Sequence, residues 1–169
     1  MNNNLDKELV DFFGKRWKTF KQNFIEKDLK TIFDKYFSIF PWSLIGNDSS
    51  GIDIGSGSGR WAQFVLPKVK KLYCLDPSIE AIEVSRNNLK QFKNCEFINS
   101  GISEIKSLPN HSLDFAYSLG VLHHIPDTNK AMHSIGLKLK DGAPFLLYLY
   151  YDLENRKLYY KFMFFITNK

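Results

Sequence analysis

Apolar residues have two different spacings along the chain, and the spacing changes near residue 48. Before it, apolar side chains recur at helical spacing, which predicts two amphipathic helices that end before Pro41. The side chains that set this spacing are Leu9, Phe12, Phe13, Trp17 and Phe20 in the first helix, and Leu29, Ile32, Phe33, Tyr36 and Phe37 in the second. The pattern therefore predicts a helical N-terminal extension over residues 1–47.

From residue 48 onward, short apolar runs alternate with stretches of helical spacing. The predicted strands are GIDIG, KLYCLD, CEFIN, LDFAYSLG and APFLLYLYY. Such alternation implies right-handed crossovers and a parallel sheet with helices on both faces. The sequence thus predicts an α/β fold, an open doubly wound sheet within residues 48–169. In such sheets, ligands bind beyond the carboxyl ends of the strands, at the point where the strand order reverses.

Composition narrows the class of protein. With 169 residues, 44% of them hydrophobic, the chain suffices for one domain with a sizeable core. The N-terminus lacks a signal-peptide pattern, and no apolar run approaches the roughly 20 residues of a membrane helix. Cys74 and Cys95 lack metal-ligand spacing, which indicates reduced thiols, no metal site and a cytoplasmic location. The net charge of +5 comes from lysines interleaved with acids, which is typical of solvated helix faces and disfavours nucleic-acid binding.

Three glycines at alternate positions fill the turn after the first predicted strand, in the stretch GIDIGSGSGRW. Glycine tolerates positive φ and lets a ligand lie against the backbone, although a tight turn without a ligand also explains it. The pattern is Asp53-x-Gly55-x-Gly57-x-Gly59, and Arg60 occupies the place of the third glycine in a dinucleotide-binding fingerprint. No GK[ST] follows, which excludes a phosphate-binding P-loop.

The glycine pattern resembles the cofactor motif of the class I S-adenosylmethionine-dependent methyltransferases. The stretch NSGISEIKSLPNHSLDFAYSLGVLHHIPD resembles the same family's run of polar loop, Leu-Pro, strand and V-L-H-H-I-x-D. LKDGAPFLLYLY resembles the family's helix end, glycine turn and fifth strand. The resemblance covers roughly residues 49–150 and favours the small-molecule, methyltransferase-11-like branch, because the N-P-P-Y motif of DNA methylases is absent. It implies a Rossmann-like sheet and S-adenosyl-L-methionine as cofactor.

The resemblance also implies which residues bind the cofactor. The glycine turn would hold the methionine and ribose portion, and Asp53 would orient the turn or meet the cofactor's ammonium through water. Asp76 would accept the ribose hydroxyls, although Asp-Pro-Ser is also an ordinary strand-to-helix connection. Ile102 would cover the adenine, and Gly101 stands where the family often has an aspartate for the adenine amino group. The full implied set is Asp53, Gly55, Ser56, Gly57, Gly59, Asp76, Pro77, Gly101, Ile102, Ser118 and Leu119.

Methyl transfer depends mainly on holding the acceptor and the methyl group in a near-attack geometry. A hydroxyl acceptor is also helped by a general base. His123 and His124 follow the fourth predicted strand on the cofactor side, and histidine suits neutral pH. Because adjacent side chains alternate in direction, we expect one of them to serve loop packing, and we favour His124 as the base. Gly14, in FFGKRW, allows two interpretations of the first helix, a kink packed on the sheet or a lid over the cofactor.

The predicted function is methyl transfer from S-adenosylmethionine to a small-molecule acceptor, with a hydroxyl of a sugar or lipid-linked metabolite as one candidate. Three alternatives stay open. They are a non-catalytic module with the methyltransferase fold, a nicotinamide-dependent oxidoreductase and a nucleic-acid methyltransferase. The family's sheet usually has seven strands and the pattern shows five. We therefore expect a domain truncated at its C-terminus, without the final hairpin and with a helical tail. The oligomeric state is left open.

Overall fold

A computed structural model describes residues 4–19, 26–102, 105 and 107–150. The α-helices within these residues are α1 (Lys7–Thr19), α2 (Glu26–Tyr36), α3 (Ala62–Val65), α4 (Ile79–Asn88) and α5 (Thr128–Gly136). The strands are β1 (Ser50–Ile54), β2 (Lys71–Asp76), β3 (Cys95–Asn99), β4 (Phe115–Leu119) and β5 (Phe145–Tyr148). All five predicted strands are present at the predicted places. The predicted helical tail lies outside the described residues.

The five strands form one parallel sheet in the order β3-β2-β1-β4-β5. Asp53, in the middle of β1, pairs with Cys74 of β2 on one side and with Tyr117 of β4 on the other. Strand order runs outward from β1 in both directions, so the order reverses between β1 and β4. This is the switch point at which a crevice opens beyond the strand ends. The predicted doubly wound α/β fold is confirmed.

Apolar side chains cover the two faces of the sheet in two separate clusters. On one face, Ile52 and Ile54 of β1 pack with Ala131 and Ile135 of α5. On the other, Tyr117 of β4 packs with side chains from the end of α2 and from α3. Because alternate residues of a strand point to opposite faces, Asp53 faces the second cluster between two isoleucines that face the first. Helices therefore flank both faces, as the alternating pattern predicts.

The helical extension shares the core of the sheet domain. Phe33 and Phe37 are each 2% exposed, and their rings stack with centroids 4.2 Å apart. Phe37 also meets Tyr117 of β4 edge-on, with ring centroids 5.2 Å apart. The helical spacing in residues 29–37 thus corresponds to a face that is buried against the sheet. A domain boundary at residues 47 and 48 stays a prediction.

Helix α1 crosses the carboxyl end of the sheet and is fastened at two places. It continues through Gly14, where an added Cβ would lie 2.5 Å from Ser78 Oγ, so the missing side chain lets α1 approach the start of α4. Just before α1 begins, the side chain of Asn4 donates to the carbonyl of Asp127 at 2.8 Å and accepts from the Asp127 N–H at 2.7 Å. In the described ranges, no helix is long and apolar enough to cross a membrane.

We expect Phe37→Ala to lower the free energy of unfolding by about 3–5 kcal/mol, because the ring is enclosed by α2 and the sheet. Urea denaturation followed by circular dichroism measures this change. Phe12→Ala is the matched control, because Phe12 is 51% exposed on α1 and its removal should cost less than about 1 kcal/mol. Equal losses in the two variants would contradict the shared core.

Candidate cofactor site

A cavity of about 420 Å³ lies beyond the carboxyl ends of β1, β2 and β4, at the switch point of the sheet. Its volume falls within the range of small-molecule and cofactor sites, about 300–1,000 Å³. The strand ends and the turns after them form its floor, and α1 with the two residues before it covers the opposite side. The cavity thus lies where doubly wound sheets bind ligands.

The cavity brings together eight of the predicted site residues, which belong to five separate segments of the chain. These are Gly55, Ser56, Asp76, Pro77, Gly101, Ile102, Leu119 and His124. Five others lie behind or beside its wall, namely Asp53, Gly57, Gly59, Ser118 and His123. Contact of any of these residues with a cofactor stays a prediction. Within the described residues, no group of three or more His, Cys, Asp or Glu side chains could hold a metal.

Several lining residues were missed by the sequence analysis. One group comes from α1 and the residues before it, and the other from the turns around the cavity. The first group is Leu5, Asp6, Leu9, Val10, Phe13 and Arg16, and the second is Arg60, Trp61, Gly120, Val121 and Tyr150. Leu5, Leu9 and Phe13 are four residues apart, so helical spacing identified an apolar stripe. Nothing in that spacing indicated what the stripe covers.

The three glycines of the turn all have positive φ, +71° at Gly55, +53° at Gly57 and +75° at Gly59. Packing within the protein excludes side chains at two of them, as the alternative of a tight turn predicts. A Cβ on Gly59 would lie 2.6 Å from Ser85 Oγ, on α4. A Cβ on Gly55 would lie 2.5 Å from the methyl groups of Val121. These two glycines therefore let the turn fit between α4 and the β4–α5 connection.

Asp76, at the end of β2, holds the glycine turn and the start of α4 together. Its Oδ2 accepts the N–H of Gly57 and its Oδ1 accepts the N–H of Ser78, both at 2.9 Å. Burial raises the pKa of Asp76, and the two N–H groups oppose the rise. Each carboxylate oxygen keeps a further acceptor position, so the predicted role toward ribose hydroxyls is compatible with this role in the turn.

The segment before α1 packs on the backbone at Gly101. A Cβ on Gly101 would lie 2.9 Å from Leu5 Cδ1, so Leu5 packs directly on this backbone. A side chain at this position would require Leu5 to shift. Ile102, next along the chain, is 4% exposed and lines the same part of the cavity. Leu5 and Ile102 thus give this part of the cavity an apolar lining.

Asp53 lies beneath the glycine turn, 2% exposed, and its Oδ2 has no hydrogen-bond partner among the described residues. Burial raises the pKa of Asp53 to about 7, and the charge of Asp76 adds to the rise. The hydroxyl of Tyr117 and the guanidinium of Arg60 oppose it. A cation in the adjoining end of the cavity would favour the ionised carboxylate, because opposite charges stabilise one another in a buried setting.

His123 and His124 differ in what surrounds them. His124 lines the cavity and contacts Phe13 of α1, with ring centroids 5.2 Å apart. His123 packs edge-on against Tyr150, with centroids 4.7 Å apart, and both its ring nitrogens are buried without a partner in the described part of the chain. Burial lowers the pKa of both histidines, and the neighbouring His124 contributes to the shift at His123. Only His124 therefore offers a neutral imidazole to the cavity.

Ser118 is fully buried, and its hydroxyl donates to the carbonyl of Ile54 at 3.1 Å. This bond ties the ends of β4 and β1 together at the switch point. Ser56, in the glycine turn, lines the cavity and its hydroxyl has no hydrogen-bond partner among the described residues.

These features fit S-adenosylmethionine. The apolar end formed by Leu5 and Ile102 suits an adenine, and Asp76 suits the ribose next to it. The opposite end has the acid Asp53 beneath the turn, the unsatisfied hydroxyl of Ser56 and the guanidinium of Arg60. Groups of both signs at one end suit the zwitterionic tail of an amino acid.

We expect Asp53→Asn to stabilise the protein relative to the native chain more at pH 8 than at pH 5. A folded pKa of about 7 lies above the unfolded value of about 3.9. The contribution of Asp53 to stability is therefore full below pH 4 and is lost as pH rises to 7. The difference in free energy of unfolding between Asp53→Asn and the native chain should change by on the order of 2 kcal/mol between pH 5 and 8. Urea denaturation at the two pH values measures it. Asp28→Asn, at an exposed position, should show no such change.

Known proteins resemble the chain in sequence and in fold. One is the ribosomal RNA small subunit methyltransferase A of Caldanaerobacter subterraneus, 34% identical over 79 residues, which are 46% of this chain and 30% of that protein. The solved structure of YcgJ from Bacillus subtilis is 23% identical and has a TM-score of 0.60, over 73% of this chain and 50% of that one.

Two further solved structures share the fold. A methyltransferase from Aquifex aeolicus is 18% identical with a TM-score of 0.52, over 70% of this chain and 69% of that one. Phosphoethanolamine N-methyltransferase 1 of Haemonchus contortus is 14% identical with a TM-score of 0.60, over 83% of this chain and 32% of that one. The chain spans half the length of YcgJ and less than a third of the ribosomal RNA methyltransferase.

The family comparison agrees with the fold and the cavity. The family described as "Methyltransferase domain" matches residues 52–147, from Ile52 in β1 to Leu147 in β5. The match covers more than half of the chain and includes the glycine turn, Asp76 and both histidines. It confirms the cofactor prediction, S-adenosylmethionine, at the level of the family. The chain belongs to the methyltransferase domain family.

Proposed function

We propose that the chain binds S-adenosylmethionine in the cavity at the switch point and transfers its methyl group to a small-molecule acceptor. The observation that carries this proposal is the cavity itself, with the glycine turn and Asp76 on its floor and Ile102 at its apolar end. S-adenosylmethionine supplies a methyl group that its sulfonium already activates. The protein's tasks are then to hold the cofactor, to exclude water and to take up a proton.

Binding is assigned to the residues that line the cavity. Gly55 and Ser56 would present backbone and hydroxyl to the methionine and ribose portion, and Asp76 would accept the ribose hydroxyls. Pro77 and Ile102 would border the adenine, and Leu119 would face the reacting end. Gly57 and Gly59 would act by holding the turn, since neither lines the cavity. The structure of phosphoethanolamine N-methyltransferase 1 contains S-adenosylhomocysteine, and its shared fold supports this cofactor.

Exclusion of water is assigned to α1. Leu9, Val10 and Phe13 place apolar side chains on the cavity from the side opposite the glycine turn. The two hydrogen bonds between Asn4 and Asp127, and the close contact of Gly14 with Ser78, hold α1 in this position. This supports the lid interpretation of residues 1–47. A low-dielectric site strengthens every polar interaction inside it.

Proton uptake is assigned to His124, for an acceptor that is a hydroxyl. The ring lines the cavity, and burial lowers its pKa, so it is neutral at pH 7 and able to accept a proton. The role of His123 would be to pack between His124 and Tyr150, with ring centroids 3.9 Å and 4.7 Å away. We also propose a cytoplasmic location, in keeping with the two free cysteines.

A second candidate acceptor is RNA, because the curated relative methylates ribosomal RNA by name and the chain has a net charge of +5. Phosphate contacts would make such binding fall steeply with salt. An affinity for RNA that drops at least tenfold between 50 and 200 mM salt would favour this acceptor over a small molecule.

We expect S-adenosylhomocysteine to bind the purified chain with micromolar affinity in a calorimetric titration, and NADH to show no binding. Asp76→Ala should weaken binding at least about tenfold, because it removes a charged acceptor. Ser78→Ala is the control for a loosened start of α4. It removes the side-chain cap of α4 and keeps the carboxylate, so it should cost about 1 kcal/mol of stability and little affinity. Preferential binding of NADH would favour an oxidoreductase instead.

We expect His124→Ala to lower the rate of methyl transfer to a hydroxyl acceptor by about 10²- to 10⁴-fold, because a general base is lost. Transfer of labelled methyl from the cofactor into a small-molecule extract measures the rate. The affinity for S-adenosylhomocysteine should stay within about twofold, since a base acts on the acceptor. His123→Ala should affect the rate less. Unchanged transfer in His124→Ala would remove the base assignment, and no transfer by the native chain would favour a non-catalytic module.

A further inference from the structure

The amino end of the sheet, opposite the cavity, exposes aliphatic side chains beside lysines. Ile39 is 81% exposed and Leu44 is 65% exposed, the two largest fractions among the large hydrophobic residues that the structure describes. We propose that this end of the molecule docks on the surface of an anionic lipid bilayer, with the two aliphatic side chains among the lipids and the lysines against the headgroups. The inference goes beyond methyl transfer and does not depend on it.

The two aliphatic side chains lie on the connection between α2 and β1, which an aromatic residue fixes to the sheet. Phe40 is 5% exposed and meets Phe115, the first residue of β4, with ring centroids 5.9 Å apart. Its chain neighbours Ile39 and Pro41 are exposed, and Leu44 ends the short 3₁₀ helix that follows. The buried ring thus holds the exposed residues at the amino end. Exposed aliphatic residues are common, so these two acquire meaning only from their surroundings.

Lysines of the connection before β2 lie against the connection that carries the aliphatic side chains. The ammonium of Lys68 lies 5.5 Å from the centroid of the Trp42 ring, and Trp42 stands between the two aliphatic residues in the chain. The N–H of Lys70 donates to the carbonyl of Ser49, just before β1, at 2.9 Å. Both lysines are exposed. Positive charge therefore borders the aliphatic side chains.

A second pair of lysines comes from the connection between α4 and β3. The side-chain amide of Asn94 donates to the carbonyls of Leu66 and Val69, both at 2.9 Å. These bonds hold the connection before β3 next to the connection before β2. Lys90 and Lys93 are exposed and therefore join the same end of the molecule. The fold thus groups lysines that belong to two separate segments of the chain.

The positive charge of this end is only partly balanced. Lys71 pairs with Glu96 at 2.6 Å, and Asp48 adds one acid on the connection before β1. In the described part of the chain, the exposed lysines at this end that have no ion-pair partner are Lys68, Lys70, Lys90 and Lys93. Anionic lipids attract such groups of lysines, and salt screens the attraction.

An anionic bilayer complements both the lysines and the aliphatic side chains. Alkyl groups enter the boundary between headgroups and acyl chains, while lysine ammonium groups stay at the phosphates. RNA would use the lysines and stack its bases on aromatic rings, but the Trp42 ring already packs against Phe33, Phe37 and Phe40. A second copy of this chain would bring lysines against lysines. The exposed aliphatic groups therefore favour a bilayer over both.

Docking at this end leaves the cavity clear of the lipid. Strand β1 has 5 residues, which span about 17 Å, and the cavity lies beyond its carboxyl end. An acceptor would reach the site from the solution. Cofactor binding and bilayer docking are therefore separable in experiment.

The first test measures flotation of the purified chain with lipid vesicles. We expect the chain to bind vesicles of phosphatidylcholine with about 30% phosphatidylserine at least about tenfold more strongly than vesicles of phosphatidylcholine alone. Binding to the anionic vesicles should weaken between about 50 and 500 mM salt, because the lysine attraction is screened. No binding to the anionic vesicles by the folded chain would overturn the proposal, as would equal binding to both kinds of vesicle.

The second test removes charge from the amino end. We expect Lys70→Gln together with Lys93→Gln to lower the partition coefficient on anionic vesicles about 10- to 30-fold. The matched control is Lys7→Gln together with Lys130→Gln, which removes the same charge from exposed positions at the starts of α1 and α5. The control should change the partition coefficient by less than about threefold. Equal losses in the two double variants would show adhesion by net charge and would overturn the proposal.

The third test removes an aliphatic side chain and keeps every charge. We expect Ile39→Ser to lower the partition coefficient about three- to tenfold, because less apolar surface leaves the water, and added Leu44→Ser to lower it further. Ile79→Ser makes the same change at a residue that is 51% exposed at the start of α4, and it should have an effect of less than about twofold. All three positions are exposed, so folding is little affected.

Three results would assign this surface to another partner and overturn the proposal. Unchanged vesicle binding in the aliphatic variants would exclude insertion. Binding of single-stranded RNA that exceeds vesicle binding, and that is lost with Lys70→Gln and Lys93→Gln, would indicate a nucleic-acid surface. A dimer in sedimentation that Ile39→Ser dissociates would indicate an interface between copies. Titration of the same samples with S-adenosylhomocysteine tests the proposed function separately, since none of these residues lines the cavity.

Discussion

The carboxylate of Asp76 connects the parts of the molecule on which the site depends. Asp76 ends β2, and its two oxygens accept N–H groups from the glycine turn after β1 and from the start of α4. Two crossovers of the sheet therefore meet at one buried acid. Burial alone would favour the neutral form, and the two N–H groups offset part of that cost. The same residue is then in place to accept hydrogen bonds from a ligand, so its structural role and its proposed binding role are served by the same two oxygens.

In the glycine turn, packing within the protein and binding of a ligand both favour residues without a side chain. Gly55 and Gly59 have positive φ, and a side chain on either would collide with Val121 or with Ser85. The turn fits closely between α4 and the β4–α5 connection, so its backbone is held rigidly at the edge of the cavity. A rigid backbone is what a cofactor site requires, since less entropy is lost on binding. Glycines in such a turn are therefore insufficient evidence of a ligand without the cavity beside them.

Helix α1 completes the site from the opposite side. Its apolar stripe covers the cavity, and Leu5 packs on the backbone of Gly101. The lining of the cavity at Gly101 therefore depends on a segment far away in sequence. At the other end the site is charged, with Asp53 below the turn and Arg60 beside it.

The sequence by itself determined the order of strands and helices, because the periods of 2 and 3.6 residues and the glycine turn are local properties. It also placed Asp76 and His124 near one edge of the sheet, because parallel strands end on the same side. Tertiary structure decided which of those residues face the cavity. It put Asp53, Ser118 and His123 behind the wall, and it brought α1 and Arg60 onto the site. These outcomes depend on packing between distant segments, since local spacing defines an apolar face without defining what that face covers.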